Sequence, residues 1–272
     1  MFLKVLKLPA ATIWTAAAFF TMLSFILSPV MVRAQTLHSL TPAAAASEAA
    51  NANSAASTPT IVIGFVGGMV SHENSAHSEV QLAQKLRKEY SSGVYVEAFE
   101  NRRRDDARKT ILRLLDRDRD GKLSAEEKEQ ARVILYGHSW GAAAVVALAR
   151  ELQQEGIPVL LTAQVDSISK NGIDDALIPA NVERAVNFYQ PDGLLHGRPE
   201  IRAADPAHTK ILGNYRMSYK DTPYDCKGYP WYDRVFSKTH TLIECDTNVW
   251  SQVENLIRGQ LDPVAAEQKS TK

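Results

Sequence analysis

The stretch from Arg132 to Gln154 constrains this chain most. It joins an apolar, β-branched run (RVILY) to a run of small and apolar residues (AAAVVALARELQQ) through Gly137-His138-Ser139-Trp140-Gly141. A strand, a sharp turn over Gly137–Gly141 and a helix in immediate succession predict a G-x-S-x-G elbow. The reason is steric. Ser139 must take a strained backbone to lift its hydroxyl out of the turn, and glycines two before and two after keep neighbouring backbone clear of it. The helix that follows aims its amide-rich N-terminus at the place where an oxyanion would form. The competing reading is a glycine-rich turn whose serine merely caps the helix. His138, adjacent to the serine, is expected to point away into the fold rather than act as base. Trp140 either shapes the pocket floor or packs in the core.

The remainder of the sequence supplies elements of matching kind. Apolar runs at Thr60–Val70, ending in Gly67 and Gly68, and at Val94–Phe99, Val159–Val165 and Val182–Gln190 read as strands, with Thr209–Tyr219 as a last one. Helical periodicity appears at Ala76–Tyr90, Asp105–Leu115 and Ala142–Gln154, and a closing helix opens at Trp250. Near-continuous apolar strands alternating with helices predict an α/β fold. Its central sheet is mostly parallel, with helices on both faces.

Residues 1–34 read as a secretory signal: Lys4 and Lys7 precede an apolar run, and Val32-Arg33-Ala34 fits cleavage before Gln35. An uncleaved membrane anchor is the alternative. Residues 35–59, rich in Ala, Ser, Asn and Thr, read as a flexible linker, and residues 60–272 as one domain. Export predicts a secreted or periplasmic protein, without stable membrane insertion once the signal is cut. It also predicts a disulfide between the two cysteines, Cys226 and Cys245. Basic and acidic residues balance at 31 each, and loss of the leader removes three of the basic ones. No basic excess points to nucleic acid.

The elbow and the order of elements, over roughly Ile61 to Ile257, resemble the α/β-hydrolase superfamily, which includes lipases and esterases. The resemblance implies a three-layer sandwich and a triad in the chain order serine, acid, histidine. It also implies an oxyanion hole shared by the amide after the nucleophile, here Trp140, and one after an early strand. Met69 is the expected second donor, with Gly68 and Val70 open. The superfamily carries its base in a loop just before the last helix, which points to His240, with Cys245 pinning that loop.

Two acids compete. Asp166 ends an apolar strand at the sheet's C-terminal edge, where a buried carboxylate can hold a histidine tautomer. Asp192 lies in a Pro-Asp-Gly turn after the next strand, the place the superfamily more often uses. The sequence favours Asp166. His72 and His77 are expected to make ordinary hydrogen bonds, His196 to sit near the pocket mouth, and Arg102-Arg103-Arg104 to be solvated surface.

Residues 116–127 read DRDRDGKLSAEE. Asp116, Asp118 and Asp120 stand first, third and fifth, Gly121 sixth, Lys122 seventh, Ser124 ninth and Glu127 twelfth. That spacing matches an EF-hand loop, with carboxylates wrapping a hard cation and the Lys122 carbonyl adding an oxygen. A structural calcium site is expected. No organic cofactor is implied.

Together these features predict a secreted serine hydrolase that cleaves small-molecule or lipid-like carboxylic esters or thioesters through an acyl-enzyme. The alternatives are a peptidase or amidase with the same machinery, and a catalytically inactive, calcium-dependent extracellular binding module.

Overall fold

The computed structural model describes residues 58–169 and 172–261. The expected leader and nearly all of the linker lie outside them, as do residues 262–272 of the expected domain.

β1 (Thr60–Val66) is buried at every position, as a strand covered on both faces must be. It is followed by α1 (Ser78–Glu89), β2 (Val94–Glu100), α2 (Arg104–Leu115) and α3 (Ala125–Glu129). β3 (Val133–His138) feeds α4 (Trp140–Gln154) directly, and β4 (Val159–Val165) returns. Next come the two-residue β5 (Leu177–Ile178), β6 (Val182–Tyr189), the two-residue β7 (Arg202–Ala203) and β8 (Lys210–Arg216). Three helices follow: α5 (Trp231–Phe236), α6 (Lys238–Glu244) and α7 (Thr247–Leu261).

The main sheet has the order β2-β1-β3-β4-β6-β8, and every pairing in it is parallel. β5 and β7 pair separately. Successive strand residues point to opposite faces, so each strand feeds two cores. Ile61, Ile63 and Phe65 join Ala107 and Ile111 of α2 and Val145 and Leu148 of α4. Val62 and Ile134 join Leu86 of α1 and Val253 and Ile257 of α7. This is the expected three-layer α/β architecture.

The order of strands also locates the site. From β1 the chain steps outward to β2, then crosses to the other side of β1 for β3 and continues through β4. Beyond the carboxyl ends of neighbouring strands whose connections diverge, a crevice opens. Here that crevice lies between the end of β1, with Gly67, and the end of β3, with Ser139.

Cys226 and Cys245 form the expected disulfide, with Cα atoms 5.9 Å apart and a sequence separation of 19. Closing a loop of that length stabilises a fold by about 3 kcal/mol, through restriction of the unfolded chain. Two elements inside and beside this loop differ from the sequence reading. α5 forms where no element was expected, and His240 lies on the helix α6 rather than in a loop. α6 has no side-chain cap. Burial of Leu242 and Ile243 holds it in place, and tertiary packing of this kind outweighs weak local propensity. Among the described residues, no helix is long and apolar enough to cross a membrane.

Candidate active site

Ser139 stands between β3 and α4 with φ 57° and ψ −125°, a conformation an L-residue adopts only when its surroundings enforce it. The enforcement is visible. A Cβ on Gly137 would come within 2.7 Å of the Gly141 carbonyl carbon, and one on Gly141 would meet the Phe65 and Val66 carbonyls. Only glycines let the turn close this tightly against β1.

His240 reaches the serine from α6. The Ser139 hydroxyl lies 2.9 Å from His240 Nε2. On the far side of the ring, Nδ1 lies 2.6 Å from Asp166 Oδ2. A carboxylate can only accept, so Nδ1–H donates to it and Nε2 is left to accept the serine proton. Ser139, His240 and Asp166 are all buried.

Asp166 follows β4 with φ 45°. Its Oδ1 accepts from the amides of Gln190 (3.0 Å) and Gly197 (2.8 Å), and its Oδ2 accepts from the Gln190 side-chain amide (2.8 Å). Sequence reading did not anticipate Gln190 or Gly197, and neither carries a local signal. Asp192 is elsewhere. Its carboxylate accepts from the Tyr219 amide and the Ser218 hydroxyl, both at 3.0 Å, and these donors hold it below the ordinary carboxylate range.

A cleft of about 280 Å³ opens over the serine, with Gly67, Gly68, Val70, Ile168 and Leu195 in its lining. A Cβ on Gly67 would lie 2.9 Å from that of Ser139, so no larger residue fits there. Met69, the expected second oxyanion donor, projects into solvent, 77% exposed. It is absent from the lining, whereas Gly68 is part of it. The Val70 amide donates to the Gly67 carbonyl at 3.3 Å. His196 is exposed, and Leu195 lines the mouth instead.

Behind Ser139, His240 and Asp166 lies a polar cluster that the sequence did not reveal. The His138 ring packs against that of His240, centroids 4.5 Å apart. His77 hydrogen-bonds Glu244, and Glu79 is completely buried. Burial, with the Glu244 carboxylate nearby, holds the Glu79 carboxyl well above the usual range. Burial likewise pushes His138 well below the ordinary imidazole range, with His240 and His77 adding to the effect. His138 is buried and points into the fold, as the sequence led one to expect. His72 bonds Glu100 at 2.8 Å.

The acidic loop 116–127 is folded back on itself. Gly121 takes φ +82° at the sixth position. Asp116 accepts from the Asp120 and Gly121 amides (3.2 and 3.1 Å) and Asp120 from the Lys122 amide (2.7 Å). Glu127 accepts from the amides of Arg117 and Ser124 (2.8 and 2.9 Å), which lower its pKa. Oxygens of Asp116, Asp118 and Glu127 lie within 4.8 Å of one another. Glu127 also completes a capping box with Ser124, which starts α3. Among the described residues, the non-glycine residues with positive φ are Arg119, Ser139 and Asp166. One lies in this loop and two in the hydrogen-bonded chain at the elbow. Arg102 and Arg103 are exposed and Arg104 is half-buried; they pair with the buried Glu100, with Asp106 and with the half-buried Glu151.

No family model matches the chain, and no curated protein matches it. Solved structures do. RedJ, solved with a polyethylene glycol molecule in its active site, is 12% identical over 69% of this chain and 90% of its own, with a TM-score of 0.34. An acetyl xylan esterase is 11% identical over 75% of this chain and 99% of its own, with a TM-score of 0.36. Dienelactone hydrolase from Anabaena variabilis is 11% identical over 74% and 84%, with a TM-score of 0.33.

Proposed function

We propose that this chain is an exported serine hydrolase of the α/β-hydrolase kind, acting on small carboxylic esters or thioesters. One observation carries the reading: the unbroken hydrogen-bonded chain from the Ser139 hydroxyl through His240 to Asp166. His240 Nε2 takes the serine proton as Oγ bonds to the substrate carbonyl carbon. Asp166 stabilises the imidazolium, which then gives its proton to the leaving alcohol or thiol. Water repeats the sequence in reverse and frees the acid. The Trp140 amide, at the first turn of α4, and the Gly68 amide are assigned to the oxyanion. Gly68 replaces Met69 because it borders the cleft. An inactive binding module would have no need of two strained residues that hold a serine, a histidine and a carboxylate in hydrogen-bond contact. A cleft of about 280 Å³, at the lower limit of ligand sites, fits short acyl groups. The disulfide supports export to an oxidising compartment.

A fluorophosphonate label and chromogenic esters of graded acyl length test this. Stoichiometric labelling is expected, with kcat/KM highest for short acyl chains. Absence of both labelling and turnover would overturn the reading.

The loop 116–127 is assigned as a structural calcium site, with Asp116, Asp118, Asp120, the Lys122 carbonyl and Glu127 as ligands. It joins α2 to the segment that leads into β3, so a bound cation would clip that connection. Calcium at 100 times its Kd is expected to stabilise the fold by about 2.7 kcal/mol. Scanning calorimetry should show a Tm that rises with calcium and falls with chelator. Glu127→Gln retains capping-box chemistry but removes a ligand charge, and should weaken calcium binding at least tenfold by isothermal titration. A Tm indifferent to millimolar calcium would remove the assignment.

A further inference from the structure

We propose that His77, Glu79, His138 and Glu244 form a buried binding site for a zinc-class divalent cation, separate from the acidic loop. The four side chains come from three parts of the fold. His77 and Glu79 stand at the start of α1, His138 at the end of β3, and Glu244 at the end of α6.

Potential ligand atoms of His77, Glu79 and Glu244 all lie within 4.8 Å of one another. His138 Nδ1 adds a fourth, 3.4 Å from Glu244 Oε2 and 3.9 Å from Glu79 Oε1. In a tetrahedral site with bonds of about 2.0–2.1 Å, neighbouring ligand atoms stand about 3.3 Å apart. The His138 distances therefore need little adjustment. The direct His77–Glu244 hydrogen bond opens to admit the ion.

A second observation points the same way. Glu79 is 0% exposed and His138 3% exposed. No well-formed hydrogen bond reaches either carboxylate oxygen of Glu79 or either ring nitrogen of His138. Buried polar atoms without partners are costly, and a packed apolar side chain would serve a purely structural position better. A cation gives His138 Nδ1 and a Glu79 carboxylate oxygen a partner at once, and two carboxylates offset its charge. Two imidazole nitrogens with two carboxylate oxygens suit zinc and its neighbours better than calcium or magnesium, which take oxygen ligands. His77, His138 and Glu244 border the cleft above Ser139, which gives the ion a path inward.

The site bears on the proposed hydrolase without depending on it. Glu244 lies four residues beyond His240 on α6, and His138 immediately precedes Ser139. The ion ties α1, β3 and α6 together directly behind the hydrogen-bonded chain.

Metal content, not activity, is the test. The untagged chain is stripped with chelator, exchanged into millimolar calcium to occupy the acidic loop, and titrated with zinc. Plasma mass spectrometry after gel filtration should find one zinc per wild-type chain and one per E127Q chain, with at least tenfold less retained by E79Q. Cobalt in place of zinc should give the visible absorption of a tetrahedral centre in the wild type only. Should E79Q fail to fold, His77→Gln takes its place. A wild-type chain that retains no zinc would overturn the proposal. So would variants at these positions that retain as much as the wild type.

Discussion

Ser139→Ala is expected to lower kcat on short-chain esters by about a millionfold, the loss seen when the nucleophile of such a unit is removed. The variant should still fold. The side chain lost is small, and the backbone around it is fixed by contacts that do not involve the hydroxyl: the close approach of Gly137 and Gly141 to β1, and the Ser139 amide, which donates to the Val165 carbonyl at 3.0 Å. Ser139→Gly sharpens the argument. A non-glycine residue at φ 57° carries about 1–3 kcal/mol of strain. Alanine retains that strain and glycine releases it, against about 0.5–1 kcal/mol of extra unfolded-chain entropy. Both variants should be inactive, with the glycine variant melting higher than the alanine one. If S139A keeps more than a thousandth of wild-type kcat while folded by circular dichroism, another nucleophile operates. If the glycine variant melts lower, the turn is not strained in the way described.

The parts legible in the sequence were those whose physics is local. Gly137 and Gly141 mark a close backbone approach, and the apolar run into Asp166 marks a buried strand end, so both sites could be read from adjacent residues. The turn at Gly121 in the acidic loop was legible for the same reason. His240 was expected from the α/β-hydrolase resemblance, yet the helix that carries it was not. Lys238–Glu244 has no side-chain cap, and Thr239, His240, Thr241 and Ile243 are weak helix formers, so the segment is helical because the sheet and the disulfide hold it. Gln190 and Gly197 converge on Asp166 only after folding. The pairing of His77 with Glu244 spans 167 residues, and no pattern of spacing encodes it. For Met69 the difference lies in the cleft lining, which includes Gly68 while Met69 is exposed to solvent.

Asp166→Asn is expected to reduce kcat by about ten-thousandfold, with Ser139 and His240 still in place. The hydrogen bonds show why. Asp166 accepts four donors: two backbone amides at Oδ1, and the Gln190 side-chain amide and His240 Nδ1–H at Oδ2. Asparagine offers one acceptor oxygen and one donor nitrogen. The backbone amides of Gln190 and Gly197 cannot rotate, so the asparagine oxygen must face them and its NH2 must face Gln190 and His240. Gln190 can adapt by turning its own amide, whose Oε1 has no hydrogen-bond partner at present, at the cost of the bond its Nε2 donates to the Leu195 carbonyl (2.8 Å). His240 adapts by moving its proton to Nε2. That tautomer accepts at Nδ1 but presents N–H to Ser139, so the base is gone. Asp192→Asn leaves this arrangement untouched and should keep kcat within about threefold of wild type, because surface substitutions of this sort shift stability by only about 0.5 kcal/mol. Partial recovery of the D166N rate at high pH, where hydroxide can take the serine proton, would support the tautomer explanation. Equal losses in D166N and D192N, or a larger one in D192N, would remove Asp166 from the role of orienting acid.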